Sequence, residues 1–121
     1  MKQLTKKQQA AFEQFAKWKI SFPELQARLQ GAVEFAFTNH EHKVTNNYQL
    51  PRRGILVQLC DIRNAMDRHA NGDISTEQLA NWAAILLLND IYQWEGPDED
   101  EIADLLNDIS CLTLKPRTET G

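Results

Sequence analysis

The stretch DRHANGDISTEQ, residues 67–78, lays out like a twelve-position calcium loop. Asp67 stands first, Asn71 fifth, Gly72 sixth, Asp73 seventh, Ile74 eighth and Ser75 ninth. Calcium is a hard cation that takes oxygen ligands, and the last position of such a loop normally supplies a bidentate carboxylate. Here the third position is His69, a nitrogen donor, and the twelfth is Gln78, neutral and at best monodentate. Glu77 stands one residue out of register. Every matching feature also has a second use. Asn71-Gly72 is a left-handed helix stop, while Ser75-Thr76-Glu77-Gln78 is a capping box with Ile74 and Leu79 as its staple pair. The spacing therefore predicts a helix–turn–helix corner and no bound calcium. A degenerate calcium-responsive module stays as the third functional reading.

Other groups that could do chemistry are sparser. His40-Glu41-His42 would place two imidazoles on one side of a strand, but no spacing brings the third and fourth ligands that structural zinc requires. A solvated loop is expected there, and no metal. Cys60 and Cys111 are far apart with no CxxC spacing, and are expected as buried or half-buried free thiols of a reducing cytoplasm. Asp61 with Asp67, and Asp104 with Asp108, stand at near-helical offsets and read as solvated faces. There is no GxSxG, no phosphate-cradling glycine loop, no HExxH and no paired Ser/His/Asp pattern. The expectation is a non-enzymatic protein without a cofactor.

Charge is the stronger signal. The formal net charge is −4, but residues 1–28 carry six Lys/Arg against two Asp/Glu, while residues 61–110 carry two Arg against twelve Asp/Glu. Within 90–108 there are eight acids and no base. Such a surface repels phosphate, so direct nucleic-acid binding is not expected, and the helix after the corner is apolar where a recognition helix carries Arg, Lys, Asn and Gln. A basic protein is the natural partner. In NDIYQWEGPDEDEIADLLND, residues 89–108, two aromatics stand beside the acids. The bland reading is a solvated helix start with two half-buried aromatics. The sharper one is a partner-binding surface formed by Asp90, Tyr92, Trp94, Glu95, Asp98, Glu99, Asp100, Glu101 and Asp104, with aromatic anchors for energy and carboxylates for steering.

Helical elements must position these groups. A chain of 121 residues suits one domain, here 1–115 with a loose tail at 116–121. The first residues lack the apolar run of a signal peptide, and the longest apolar run, 82–88, is too short to span a bilayer, so no membrane is expected. Thr5 with Gln8 opens a helix to about residue 19. Ser21-Phe22-Pro23-Glu24 is a capping box whose helix carries the stripe Leu25, Leu29, Ala32, Val33 and Ala36. From 31 to 50 the preferred reading is helix followed by loop; the alternative is a short hairpin in which Val33, Phe35 and Phe37 alternate and Val44-Thr45 pairs back across the 40–43 tip. Ile55, Leu59, Ile62, Met66 and His69/Ala70 form the next stripe. The helix from 76 to about 92 is apolar almost all round and belongs at the centre of a bundle. Gly96-Pro97 breaks the chain, and Asp98 caps a last helix with Ile102, Leu105, Leu106, Ile109 and Leu112 facing inward. The fold expected is mainly α: a single-domain bundle of about five helices, with the hairpin in the 32–48 region as an open variant.

GDISTEQLANWA (72–83) followed by DEDEIADLLNDIS (98–110) resembles the small immunity proteins of bacterial contact-dependent growth inhibition systems. The resemblance spans roughly residues 67–112 and rests on caps, Trp82 and an apolar face. It implies a cytoplasmic, non-enzymatic protein that binds one cognate toxin domain and blocks it. Many such toxins are nucleases, which must be basic to hold nucleic acid, and the acidic segment complements that. Immunity proteins diverge at their toxin-binding surfaces, so the resemblance supplies no binding residue and no toxin identity. The alternative, from another class, is a small helical adaptor or regulatory subunit of an intracellular complex.

Overall fold

The computed structural model describes residues 2–38 and 40–113. The tail expected from 116 lies outside the described residues. Among these residues five helices and three two-stranded pairings make the fold mostly α with some sheet.

Helix starts follow the capping chemistry. Thr5 Oγ1 accepts the Gln8 amide at 3.0 Å and Gln8 Oε1 accepts the Thr5 amide at 3.0 Å, opening α1 (Lys6–Ala16). This helix stops three residues before the expected end. The Trp18 amide bonds Phe15 O and the Lys19 amide bonds Gln14 O, a Schellman closure in which Trp18, at φ 62°, fills the left-handed position usually given to glycine. Ser21 Oγ accepts the Glu24 amide at 3.3 Å and opens α2 (Phe22–Arg28). The predicted box is only half formed, because the Glu24 carboxylate pairs with Arg28 instead of reaching back.

The chain turns at Gly31, φ 88°, and the preferred helix-then-loop reading of 31–50 is corrected to the hairpin. Strands β2 (Val33–Phe37) and β3 (His42–Asn46) pair antiparallel, with Phe35 opposite Val44. Ala36, expected on an inward helical stripe, is therefore exposed on the outer face. His42 sits on β3 with its ring 4.6 Å from the Phe37 ring, whereas His40 lies in the turn, so the two imidazoles do not share a strand face.

Two parallel pairings staple distant segments. β1 (Lys2–Gln3) pairs with β4 (Tyr48–Gln49), and β5 (Ile55–Leu56) pairs with β6 (Tyr92–Gln93). Gly54, next to β5, has no room for a side chain: a Cβ there would lie 2.8 Å from Ile91 O. Ile55 thus belongs to a strand, and α3 (Leu59–Ala70) begins later than its stripe suggested. Its buried face is Asp61, Ile62 and Ala65, whereas Met66 is exposed. Cys60 and Cys111 are both free and both exposed, against the expected burial, because Cys60 points away from that face and Cys111 follows the last helical turn.

The corner at 67–78 forms as expected. The Gly72 amide bonds His69 O and the Asp73 amide bonds Arg68 O, with Gly72 at φ 80°. Ser75 and Gln78 complete a reciprocal box at 2.8 and 3.0 Å, and His69 Nε2 shares a 2.9 Å hydrogen bond with Thr76 Oγ1. Three of the would-be ligand positions, His69, Ser75 and Gln78, are thus spent on the start of the next helix.

Helix α4 (Thr76–Leu88) is central. Leu79, Ala80, Trp82, Ala83, Ala84, Ile85 and Leu86 are all buried, with α1, α3, β3 and α5 packed around them. Trp82 is fully buried, stacks on Trp18 at 5.6 Å and donates Nε1 to Phe15 O at 3.2 Å. The helix ends at Leu88 instead of 92. The Asn89 side chain, itself buried, bonds Ile85 O at 2.9 Å and turns the chain into β6. Helix α5 (Glu99–Ser110) buries Ile102, Leu106 and Ile109 and half-buries Leu105, while Leu112 lies past its end and is 55% exposed.

Candidate protein-binding surface

The acids of 90–108 fall on two elements. Asp90 lies on the turn between α4 and β6, exposed, bordering a shallow hollow with Asn46, Tyr48, Gln49 and Leu50. Glu95 follows β6, and Gly96 at φ 92° reverses the chain into α5. Glu99, Asp100 and Glu101 fill the first turn of α5, where the helix dipole favours negative charge. Asp98 precedes them, but its side chain makes no capping bond; the Glu99 amide reaches Gly96 O at 3.2 Å. Asp100, Asp104 and Asp108 repeat every four residues, so they form one stripe opposite Ile102, Leu106 and Ile109.

All eight acids are exposed. The ion pairs among the described residues are Lys17–Asp61 and Arg28–Glu24, so none of the eight has a cationic partner there. Like charges spaced four apart on a helix repel, and the stripe therefore works against the helix that carries it. The rigid apolar face of α5 holds it in place.

The aromatics divide. Tyr92 does not belong to the surface: it is 4% exposed, donates its hydroxyl to Phe12 O at 2.6 Å and meets the Phe12 ring edge-on at 5.7 Å. Burial and the neighbouring Tyr48 push its pKa well above the usual tyrosine range. Because residues alternate along β6, inward Tyr92 places Gln93 outward. Trp94 is half-buried, packed against the core with one side left to solvent. Leu56, opposite Gln93 in the β5–β6 register, is 46% exposed and adds an apolar group beside this segment. Only a parallel pairing across some 37 positions reveals it.

Asp61, expected on a solvated face, is buried. Its Oδ1 takes the Lys17 ammonium at 2.6 Å and its Oδ2 takes the Gln58 amide at 2.9 Å, tying α1 to the first turn of α3. It is an internal tie and contributes nothing to the acidic surface.

Among the described residues no group of three or more His, Cys, Asp and Glu is placed to hold a metal ion, and no helix is long and apolar enough to cross a membrane. Desolvation lowers the pKa of His42, favouring its neutral form against Phe37. No family model, no curated protein and no solved structure matches the chain.

Proposed function

We propose that this protein is an immunity protein of the contact-dependent growth inhibition type. It binds a cognate toxin domain, a basic nuclease, and neutralises it by stoichiometric protein–protein contact. The observation that carries the reading is the set of exposed carboxylates at 90–108 with no cation among the described residues to pair them. Beyond the dipole's pull on the first turn of α5, a surface that repels itself gains little for folding, and a basic partner relieves it. Such a field also raises association rates, and a nuclease must present the complementary charge to hold its own substrate. The proposed contact comprises Asp90, Glu95, Asp98, Glu99, Asp100, Glu101 and Asp104 for steering, with Trp94 and Leu56 as apolar anchors in place of Tyr92. The likeness of 72–83 and 98–110 to immunity proteins points the same way. No turnover and no cofactor belong to this reading, and its setting is the cytoplasm.

Co-expression tests it. The protein should rescue cells from the toxin fragment encoded directly upstream of its own gene, and should co-elute with that fragment as an equimolar complex. Absence of protection, with both proteins soluble, places the adaptor reading ahead.

A further inference from the structure

A second concavity has different chemistry. It forms where the end of α1 and the start of α2 meet the α3–α4 corner, and it encloses about 570 Å³, the size range of a small-molecule pocket. Trp18, Phe22 and Ile74 supply its apolar walls, and Lys19, Arg68 and Glu77 its charge.

Three observations converge on it. Trp18 holds a left-handed backbone in a helix-closing position where glycine would be free of strain. Among the described residues the only buried side-chain donors without a hydrogen-bond acceptor are Trp18 Nε1 and Arg68 Nε, and both residues line this one hollow. By contrast, the Trp82 indole in the core is fully satisfied by Phe15 O. Buried N–H groups are almost always paired, so two orphans at one site point to an acceptor supplied from outside. The charge agrees in sign. The Glu24 carboxylate at the rim is taken by Arg28, which leaves Lys19 and Arg68 against Glu77 alone.

We propose that this hollow binds a small carboxylic acid with a flat apolar body. The carboxylate accepts hydrogen bonds from Trp18 Nε1 and the Arg68 guanidinium, and the body packs on the Trp18 and Phe22 rings against Ile74. Both orphan N–H groups are closed to water, so entry displaces rim side chains; Lys19 and Glu77, both exposed, are the ones able to move aside. The left-handed tryptophan then has a purpose: a glycine would relax the turn but would remove both wall and donor. This site is independent of the acidic surface and of the toxin reading.

The test uses the full chain labelled with nitrogen-15 and phenylacetate as the probe, with neutral phenylacetamide as its control. Phenylacetate should move the Trp18 indole N–H and the Arg68 Nε–H resonances saturably downfield in the millimolar range, leaving the Trp82 indole in place. Arg68→Gln should weaken binding tenfold or more, its fold verified by unchanged Trp82 and Trp94 indole signals. Trp18→Phe, which keeps a ring without the donor, should bind more weakly in the same way; should it fail to fold, Arg68→Gln decides alone. The proposal is overturned by any of three results: no saturable movement of the Trp18 signal, equal affinity for phenylacetamide, or undiminished binding by Arg68→Gln.

Discussion

Replacing Asp61 by Asn removes one charge from the tie between α1 and α3 and little else. The carboxylate side chain is 7% exposed and holds the Lys17 ammonium at 2.6 Å and the Gln58 amide at 2.9 Å. Asn keeps an oxygen for the Gln58 amide but loses the attraction for Lys17. Breaking a fully buried pair on one side costs about 3–5 kcal/mol, and an exposed pair contributes about 0–1 kcal/mol. Lys17 is 38% exposed, so water screens its end and the value falls between those limits. We expect a loss of about 1.5–2.5 kcal/mol for Asp61→Asn, interpolated on that exposure. For a chain of this size each kcal/mol shifts Tm by roughly 3–5 °C, giving a fall of about 5–12 °C by calorimetry. Lys17→Met should cost more than Asp61→Asn, because it leaves the buried carboxylate with the Gln58 amide and no cation. The double variant should recover part of that loss. A coupling energy below about 0.3 kcal/mol in the cycle, within the scatter of independent sites, refutes the reasoning and means that solvent already holds Lys17.

The other expectations test the core, the surface and the buried tyrosines. Trp82→Ala, which empties the space between α1 and α4, should cost about 3–5 kcal/mol; melting within a degree or two of wild type would remove Trp82 from the centre of the packing. A joint Asp98/Glu99/Asp100/Glu101→Ala variant should associate with the toxin domain more slowly and lose most of its salt dependence, while Trp94→Ala should speed dissociation by a cost of about 2 kcal/mol. Stopped-flow kinetics at two salt concentrations separate these effects, and wild-type behaviour in both variants moves the interface elsewhere. Burial, reinforced by the Asp90 charge, raises the Tyr48 pKa to about 12. The folded state therefore keeps a proton that the unfolded chain sheds near pH 10, so stability is full below about pH 10 and is lost on the way to about pH 12. Tyr48→Phe should flatten that alkaline loss in urea titrations, with the remaining slope due to Tyr92; an unchanged slope would mean that Tyr48 ionises freely in the folded protein.

What the sequence determined by itself was most of what is governed by neighbours within four residues. The Thr5 and Ser75 boxes, the Asn71-Gly72 stop and the amphipathic run of α5 are local bonds or local periodicity, and each forms where the residues demand it. The centrality of α4 was legible too, because a helix apolar on nearly every face has nowhere else to go. So was the exposure of the acids, since charge without a partner stays in water. Tertiary structure decided whatever depends on distant partners. The 31–50 segment has an alternating pattern too short to tell strand from helix, and it becomes a hairpin because Gly31 turns it and β3 packs on α4. Tyr92 and Asp61 look like surface residues in the chain. They are buried because Phe12 O lies 80 residues from one and Lys17 lies 44 residues from the other, and no local pattern encodes either encounter. Trp18 is the sharpest instance. The Ser21 cap marks a helix end nearby, but nothing local marks Trp18 as the left-handed residue. Its ring stacks on the distant Trp82 in a backbone conformation that its own side chain disfavours.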